Sequence, residues 1–290
     1  MIAFKLRKMI FNQLIKSFQS KDTNITVSVS FDDKYLDYGK ILLNSIIKNS
    51  PSVKIVVLAI NVPENNLQKF AELENIEIVH EHKNFSHAYE QRLYVTTRRI
   101  FLIDRLRKDN SIKNLLQLDA DAIVNKNLNR FDTLFNRGDL CIFARPKIKH
   151  EALRLTMNVM GLSNSPVTKA LTQEWIKQLW NILETPQNSK YIDQLTLWKA
   201  YEKINREQGI KLVNLNVPWI GNSQSSIIRT FYATKDNRGD RKLLQELNKF
   251  TNKKLPEVPK NAPPKPKDIE VYLTRSLLKE HFEKAGFVYK

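Results

Sequence analysis

Hydrophobic and polar residues alternate over residues 25–31, and this period of two predicts a β-strand with one buried face. A stripe with helical spacing follows and ends at Asn49-Ser50-Pro51; it is formed by Leu42, Leu43, Ile46 and Ile47. Two more strands are predicted at 53–60 and 76–79, with a short helix at 64–73 between them. Strands that alternate with helices predict a parallel sheet with right-handed crossovers.

The same alternation continues further along the chain. A longer helix is predicted at 89–107 and a buried strand at 115–118. Beyond them we expect a strand at 140–144, a helix at 169–183 and a helix that begins near residue 191. The pattern therefore predicts an α/β fold, with a mostly parallel central sheet flanked by helices in a single main domain.

The ends of the chain differ in composition from this main domain, which we place at 22–250. Residues 1–21 carry five lysines and arginines, no acidic residue, and apolar residues at helical spacing. This basic amphipathic helix could lie on an anionic membrane, act as an organelle transit peptide or pack on the domain. Prolines and lysines predict an extended linker at 251–268, and a last helix is expected at 269–290.

Charge and composition narrow the class of protein. The formal net charge of +17 favours an anionic partner such as nucleic acid, lipid head groups or a phosphorylated substrate. No apolar run approaches the roughly 18 residues of a transmembrane helix. We expect a cytoplasmic protein, or one peripheral on the inner membrane face through residues 1–21. The single cysteine, Cys141, lies in an apolar run and is predicted to be a core residue.

A pair of carboxylates follows the strand at 115–118. Asp119 and Asp121 are two residues apart, so in an extended segment both point the same way at the carboxyl end of the strand. Two hard oxygen donors suit Mg²⁺ or Mn²⁺ bound to a diphosphate. An isolated Asp-x-Asp is common, and capping of a turn or helix is the alternative.

A second polar group ends the first strand. Phe31-Asp32-Asp33 is followed by Tyr35 and Tyr38. At this edge of an open α/β sheet a carboxylate can accept from a nucleotide base and an aromatic ring can stack on it. Helix capping by the aspartates and packing by the tyrosines are the alternatives.

Three segments, in order along the chain, resemble the GT-A glycosyltransferases and in particular family 8. They are Val27 to Leu36 with Ser45 downstream, Leu118 to Val124, and Asp193-Gln194-x-x-Leu197. The resemblance covers about residues 25–245. It implies transfer of a sugar from a nucleotide-diphosphate donor, with UDP-sugars favoured, to a glycan, lipid or protein acceptor, and retention of the anomeric configuration.

The resemblance also implies roles for individual residues. The donor would contact Phe31, Asp32, Tyr35 and Asn158, while Mn²⁺ or Mg²⁺ would bind Asp119 and Asp121. Asp193 and Gln194 would lie near the transferred sugar, unless Asp193 only stabilises the start of a helix. An arginine of the preceding helix would reach the sugar or diphosphate. We favour Arg99 over Arg98, because Arg99 shares the inward face with Ile103.

The sequence departs from family 8 at the third metal ligand. That family usually supplies a late histidine, whereas here the only histidine after His150 is His281. A late basic segment, which contains Lys235, Arg241 and Lys242, could hold the leaving diphosphate or be a solvated loop. The loosely spaced histidines His80, His82 and His87 fit a surface loop better than a metal site.

Other functions remain open from the sequence. A sugar nucleotidyltransferase would use the same sheet edge, although its Gly-rich N-terminal loop is absent. A basic nucleic-acid-binding protein would also fit the charge, but no recognised nucleic-acid motif occurs, so no specific nucleic acid is expected. A transferase-like fold that binds without turnover is the third alternative.

Overall fold

A computed structural model describes residues 24–86, 88–184, 191–221, 223–230 and 277–287. Several sequence predictions lie outside these residues. They are the helix at 1–21, the basic segment with Lys235, Arg241 and Lys242, the linker at 251–268, and the first part of the last helix.

The first half of the chain alternates strands and helices, as predicted. Its parallel strands are β1 (Ile25–Asp32), β2 (Lys54–Ile60), β3 (Ile76–Glu81) and β4 (Asn114–Asp119). The helices between them are α1 (Leu36–Asn49), the short α2 (Gln68–Ala71) and α3 (Ala88–Lys108). A short 3-10 helix, Asp33–Tyr35, joins β1 to α1.

The second half adds the remaining strands and helices. The strands are β5 (Ile123–Val124), β6 (Leu140–Ala144), β7 (Leu155–Leu162), β8 (Leu212–Asn214), β9 (Ile220–Gly221) and β10 (Ile228–Arg229). The helices are α4 (Asp132–Phe135), α5 (Pro166–Glu184), α6 (Ile192–Gln208) and α7 (277–284). Helix α5 begins three residues before its predicted start, because Ser165 Oγ accepts from Thr168 N at 3.3 Å and Pro166 fits the first helical turn.

Strand β7, a central strand of eight residues, was not predicted from the sequence. Seven of its eight residues are buried, and only Asn158 is partly exposed. A strand that is covered on both faces lacks the alternation that identifies a half-exposed strand. Met157 and Met160 pack on one face of the sheet and Val159 packs on the other, which explains this burial.

The main sheet has the strand order β3-β2-β1-β4-β7-β6-β8. Strand β7 runs antiparallel to both of its neighbours, and the other six strands share one direction. The mostly parallel sheet of a single domain is therefore confirmed. A small second sheet, with the order β5-β10-β9, connects the segment after Asp121 to residues 220–229.

The register brings the carboxyl ends of the parallel strands to one edge of the sheet. Ser30 pairs with Asp119, and Asp32 pairs with Ile60, which in turn pairs with Glu81. Open α/β sheets bind ligands at this edge. The polar residues that end β1 and β4 are thus held close together by the backbone ladder.

Two hydrophobic cores lie on opposite faces of the sheet. On β2, Val56 and Leu58 belong to one core, whereas Ile55 and Val57 belong to the other. Helices α3, α5, α6 and α7 cover the first face, and α1 with the small sheet covers the second. Burying each such side chain stabilises the fold by about 1.5–3 kcal/mol.

The only cysteine lies inside the second core. Cys141 on β6 is fully buried, and burial raises the pKa of its thiol to about 12. The prediction of a core cysteine is therefore confirmed. Within the described ranges, the helices are all too short or too polar to cross a membrane.

Candidate active site

An arginine joins two carboxylates at the carboxyl edge of the sheet. Arg99 on α3 donates through Nη1 to Asp119 Oδ1 at the end of β4. Through Nη2 it donates to Asp193 Oδ2 at 2.5 Å, in the first turn of α6. Arg99 is buried and lies on the inward face of the helix, the position that its spacing to Ile103 predicts.

The neighbouring arginine has a different partner. Arg98 Nε donates to Glu81 at the end of β3, at 2.9 Å to Oε1 and 3.1 Å to Oε2. Its guanidinium lies 4.4 Å from the centre of the Phe287 ring. Arg98 therefore connects α3 to β3 and to the C-terminal residues, while Arg99 faces Asp119.

The charges of this cluster depend on one another. Burial would lower the pKa of Arg99, but the two adjacent carboxylates raise it, so the guanidinium remains charged. Burial raises the pKa of Asp119, against the opposing effect of Arg99. Among the described residues, Arg99 Nε is buried without a hydrogen-bond partner. A buried donor of this kind is uncommon in folded proteins.

Helix α1 fixes the backbone that follows Asp121. Ser45 Oγ accepts from Val124 N at 3.0 Å, and Asn49 Nδ2 donates to Val124 O at 2.9 Å. These bonds hold the turn between Asp119 and β5. Desolvation of the phenol group, and then the charge of Asp121, raise the pKa of Tyr35 although the residue as a whole is half exposed. Asp32 and Asp119 contribute less, so these groups lie within electrostatic range of one another.

The end of β1 is organised by Asp32. Its Oδ1 accepts from Tyr35 N at 3.2 Å, which confirms the predicted capping role, and its Oδ2 accepts from Gln91 Nε2 at 3.0 Å. Gln91 Nε2 also donates to Asp33 Oδ1 at 2.9 Å. Burial raises the pKa of Asp32, and the bond from Tyr35 N opposes this shift.

The two aromatic residues of this segment differ in exposure. The Tyr35 side chain is among the few large hydrophobic ones that are open to solvent, with 49% exposure, and its ring lies 5.6 Å from that of Tyr38. Phe31 is only 1% exposed, and its ring fills the space beside Gly39, where a Cβ atom would come within 2.6 Å of it. A base could stack on Tyr35 but could reach only the backbone of Phe31.

Asn158 lies beside the end of β4. Leu118 pairs with Val159 in an antiparallel register, so the next position along β7, Asn158, lies opposite Asp119. The register of β6 against β7 shifts at this point, because Ile142 pairs with Met160 and Phe143 with Thr156. Such bulges re-aim side chains, and here the bulge includes Asn158.

Gln194 does not join the Arg99 cluster directly. With its amide oriented to donate, its nitrogen bonds to Leu155 O at 3.1 Å and Ala152 O at 3.2 Å. It thus attaches the start of α6 to the segment that enters β7. Asp193 O, in the same turn, accepts from Trp175 Nε1 at 3.1 Å, which fixes this turn to α5.

The sequence analysis missed Gln91 and Arg92 on α3. Gln91 bonds to both aspartates at the end of β1, and the charge of Arg92 acts on Tyr35. Arg92 precedes Arg99 by seven residues, or two helical turns, so the two share a helix face. That spacing was a signal in the sequence for a second cation at this edge.

The residues present fit a divalent metal in part. Asp119 ends β4, whereas Asp121 lies in a turn closed by the bond from Ala122 N to Asp119 O at 3.0 Å, so the segment is not extended as predicted. Both residues still offer carboxylate oxygens, which Mg²⁺ and Mn²⁺ prefer. In the part of the chain that the structure describes, no three His, Cys, Asp or Glu side chains converge on one metal position. His281 instead bonds through Nε2 to Glu90 Oε1 at 2.9 Å. A metal here would therefore take further ligands from substrate or water.

Comparisons with known proteins identify solved structures that share this architecture. No protein-family model matches the chain, and no curated protein does. Among solved structures, the apo structure of the bifunctional glycosyltransferase WbbM aligns at 14% identity and a TM-score of 0.54, covering 88% of this chain and 52% of that one. The glycosyltransferase GlyE of Streptococcus pneumoniae TIGR4 aligns at 14% identity and a TM-score of 0.50, covering 91% and 65%.

An active-site mutant of LgtC is similar over nearly its whole length. It aligns at 14% identity and a TM-score of 0.51, covering 80% of this chain and 98% of that one. The chain thus spans about half of the WbbM structure and 65% of the GlyE structure. At such identities a structural likeness establishes the fold, and this chain has the GT-A fold of these glycosyltransferases.

Proposed function

We propose that this chain is a metal-dependent glycosyltransferase. It moves a sugar from a nucleotide-diphosphate donor, with UDP-sugars favoured, to a hydroxyl group of a glycan, lipid or protein. The observation that carries the proposal is the link that Arg99 makes between Asp119 and Asp193 at the carboxyl edge of the sheet. Burying three charged groups costs desolvation energy, so the cluster is unlike one that serves only to stabilise the fold. Buried charges with shifted pKa values are instead typical of functional sites.

The donor is proposed to lie along the ends of β1 and β4. Its base would stack on the exposed ring of Tyr35 and donate to Asp32, which Gln91 holds in place. The backbone of Phe31, rather than its buried ring, would contact the base. Asn158 would line the sugar side of the same cleft, next to the end of β4.

Asp119 and Asp121 are proposed to hold Mn²⁺ or Mg²⁺. When bound, the metal would neutralise charge on the departing diphosphate. Arg99 would then orient Asp119 and Asp193 and place a fixed positive charge beside the reacting bond. Lys235, Arg241 and Lys242 remain proposed contacts of the diphosphate, from outside the described residues.

In the proposed reaction the bond between the sugar's anomeric carbon and the diphosphate oxygen breaks, and its electron pair leaves with the nucleoside diphosphate. A bond from the acceptor oxygen to the anomeric carbon forms, and the hydroxyl proton of the acceptor passes to the departing diphosphate or to water. Asp193 and Gln194, at the start of α6, would position the sugar during this exchange. Retention of configuration is part of the proposal, and NMR of the product's anomeric proton would test it.

The proposal is tested by turnover. Purified protein is incubated with a panel of nucleotide sugars and Mn²⁺, and release of nucleoside diphosphate is measured for wild type and Asp121→Asn. The matched control is Asp109→Asn, an exposed aspartate after α3. We expect Mn²⁺-dependent release that falls about a hundredfold only in Asp121→Asn, since a Lewis-acid metal supplies several kcal/mol.

Two other outcomes would contradict the proposal. Wild-type rates in Asp121→Asn would show that the metal site is elsewhere or that no metal is needed. Exchange of pyrophosphate between a nucleoside triphosphate and a sugar phosphate, without transfer to an acceptor, would favour a nucleotidyltransferase.

A further inference from the structure

A strongly basic loop lies beside the candidate active site. The ten residues 145–154, which connect β6 to β7, carry four arginines and lysines and one carboxylate; we call them the basic loop. Strand β6 runs in the same direction as β4, so the loop leaves the sheet at the edge where Asp119 lies. By contrast, residues 24–86, which include the proposed base-binding segment, contain more acidic than basic side chains.

The basic loop is attached directly to the catalytic edge. The Gln194 amide bonds to the carbonyl groups of Ala152 and Leu155, at 3.2 and 3.1 Å. Gln194 follows Asp193, the partner of Arg99. The end of the loop is therefore one residue of α6 away from the buried ionic cluster, on the side of the proposed sugar position.

Its two arginines give the loop a defined shape. Arg145 Nη2 donates to Leu153 O at 3.2 Å, across the loop. Arg154 Nε donates to Ile148 O at 3.0 Å, and its guanidinium lies 4.8 Å from the centre of the Trp198 ring. Hydrogen bonds that cross a loop reduce its freedom, so its lysines are presented from a preformed surface.

The remaining cations of the loop face solvent. Lys147 and Lys149 are exposed, as is His150 between Lys149 and the carboxylate of Glu151. The nearby carboxylates of Glu151 and Glu202 lie 4.0 and 3.9 Å from Arg154 Nη1. Within the described ranges no carboxylate forms an ion pair with Lys147 or Lys149.

From this arrangement, and resting on the proposed function, we propose that the basic loop binds a phosphoryl group of the acceptor. A phosphoryl group carries nearly two negative charges and three acceptor oxygens, which several converging cations can satisfy. The loop borders the sugar side of the site, so the group it binds belongs to the molecule that receives the sugar. The acceptor is therefore a phosphorylated compound, either soluble or displayed on a lipid head group.

Binding of glycerophosphate tests this proposal. The phosphate is titrated into protein saturated with UDP and Mn²⁺, with phosphate-free glycerol as the ligand control. The variant is Lys147→Gln with Lys149→Gln. Its matched control is Lys113→Gln with Lys211→Gln, which removes two exposed cations from the opposite edge of the sheet, where β4 and β8 begin.

We expect the loop variant to weaken glycerophosphate binding about tenfold and the control variant to leave it within about twofold, as two exposed charge contacts are lost only in the first. Equal binding by wild type and the loop variant, or no binding by wild type, would overturn the proposal. So would weaker UDP binding in the loop variant, which would assign the loop to the donor.

Vesicles distinguish the two sources of the phosphoryl group. Binding to vesicles that contain phosphatidic acid, a phosphomonoester like glycerophosphate, but not to phosphatidylcholine vesicles, that is lost only in the loop variant would identify a lipid head group. Binding of soluble glycerophosphate alone would identify a soluble acceptor. UDP is titrated separately in every variant, so failure of the donor site and failure of the loop give different results.

Discussion

Arg99 Nη2 and Asp193 Oδ2 are 2.5 Å apart, and their side chains are only 10% and 8% exposed. The pair joins the middle of α3 to the first turn of α6 over the edge of the sheet. The second terminal nitrogen of Arg99 is used for Asp119, so one guanidinium fixes two carboxylates in a defined geometry. This arrangement makes Arg99 the most informative residue to change.

Replacement of Arg99 by lysine should impair both stability and transfer. A single ammonium cannot form the two directed contacts of a guanidinium, and one buried carboxylate loses its partner. We expect a loss of about 2–4 kcal/mol in the free energy of unfolding, measured with urea, and at least a hundredfold slower transfer. Arg105→Lys, at an exposed position of the same helix, is the control, and a similar loss there would refute the account.

Asp32 should make stability depend on pH. Burial raises the pKa of Asp32 in the folded state. Between the ordinary pKa of an aspartate and this raised pKa, the folded state therefore binds more protons than the unfolded state, and stability falls as the pH rises. The ionised carboxylate then costs stability at neutral pH. We expect Asp32→Asn, which can still cap the 3-10 helix, to melt at a higher temperature than wild type at pH 7 and to lose this advantage as the pH falls below the ordinary pKa. An advantage that is independent of pH would contradict this explanation.

Cys141 should be unreactive in the folded protein. Burial raises the pKa of its thiol to about 12, so the thiolate is scarce near neutral pH and a reagent has no path to it. At pH 8 an aromatic disulfide reagent should modify the thiol only after denaturant unfolds the chain. Rapid modification of the native protein would show that β6 opens readily.

Arg107 should contribute to stability without contributing to donor binding. It is fully buried, and it donates to Ser163 O at 3.0 Å and Ile112 O at 3.1 Å. Arg107→Leu removes the donor to Ile112 O and one of two donors to Ser163 O, which keeps its bond from Thr168 Oγ1. It should cost about 2–4 kcal/mol of unfolding free energy, with UDP affinity unchanged. Arg105→Leu, at an exposed position, should change stability by less than about 0.5 kcal/mol. Weaker UDP binding by Arg107→Leu, at temperatures where the variant is folded, would show that Arg107 also affects the donor site and would contradict this prediction.

Much of the fold could be predicted from local patterns. Strands β1 and β2 have strong periodic or continuous apolar sequences, and α3 has apolar residues at helical spacing, so each was identified with small errors at its ends. The alternation of β1 also indicated that Phe31 is buried, because Phe31 shares a face with Val27 and Val29. Strand β7 could not be identified in this way, because its side chains pack into the cores on both faces of the sheet.

The candidate site was predictable where the backbone alone positions a residue. Asp119 and Asp121 follow a buried strand, and Arg99 lies on the inward face of a helix. The bonds from Gln91 to Asp32 and from His281 to Glu90 join residues 59 and 191 positions apart in the chain. Contacts at such separations depend on how the helices pack, which no local pattern specifies.

The central claim is that Asp119 and Asp121 form a metal-dependent site for a nucleoside diphosphate. Thermal unfolding is measured for wild type, Asp121→Asn and Asp109→Asn with UDP, GDP, CDP, ADP or dTDP, each with and without Mn²⁺. A ligand at a hundred times its Kd stabilises the native state by about 2.7 kcal/mol, so a clear rise in melting temperature is expected. The account predicts that one nucleotide, with UDP favoured, stabilises wild type and Asp109→Asn only when Mn²⁺ is present, and does not stabilise Asp121→Asn. Stabilisation by none of the five nucleotides, or equal stabilisation of all three proteins, would contradict it.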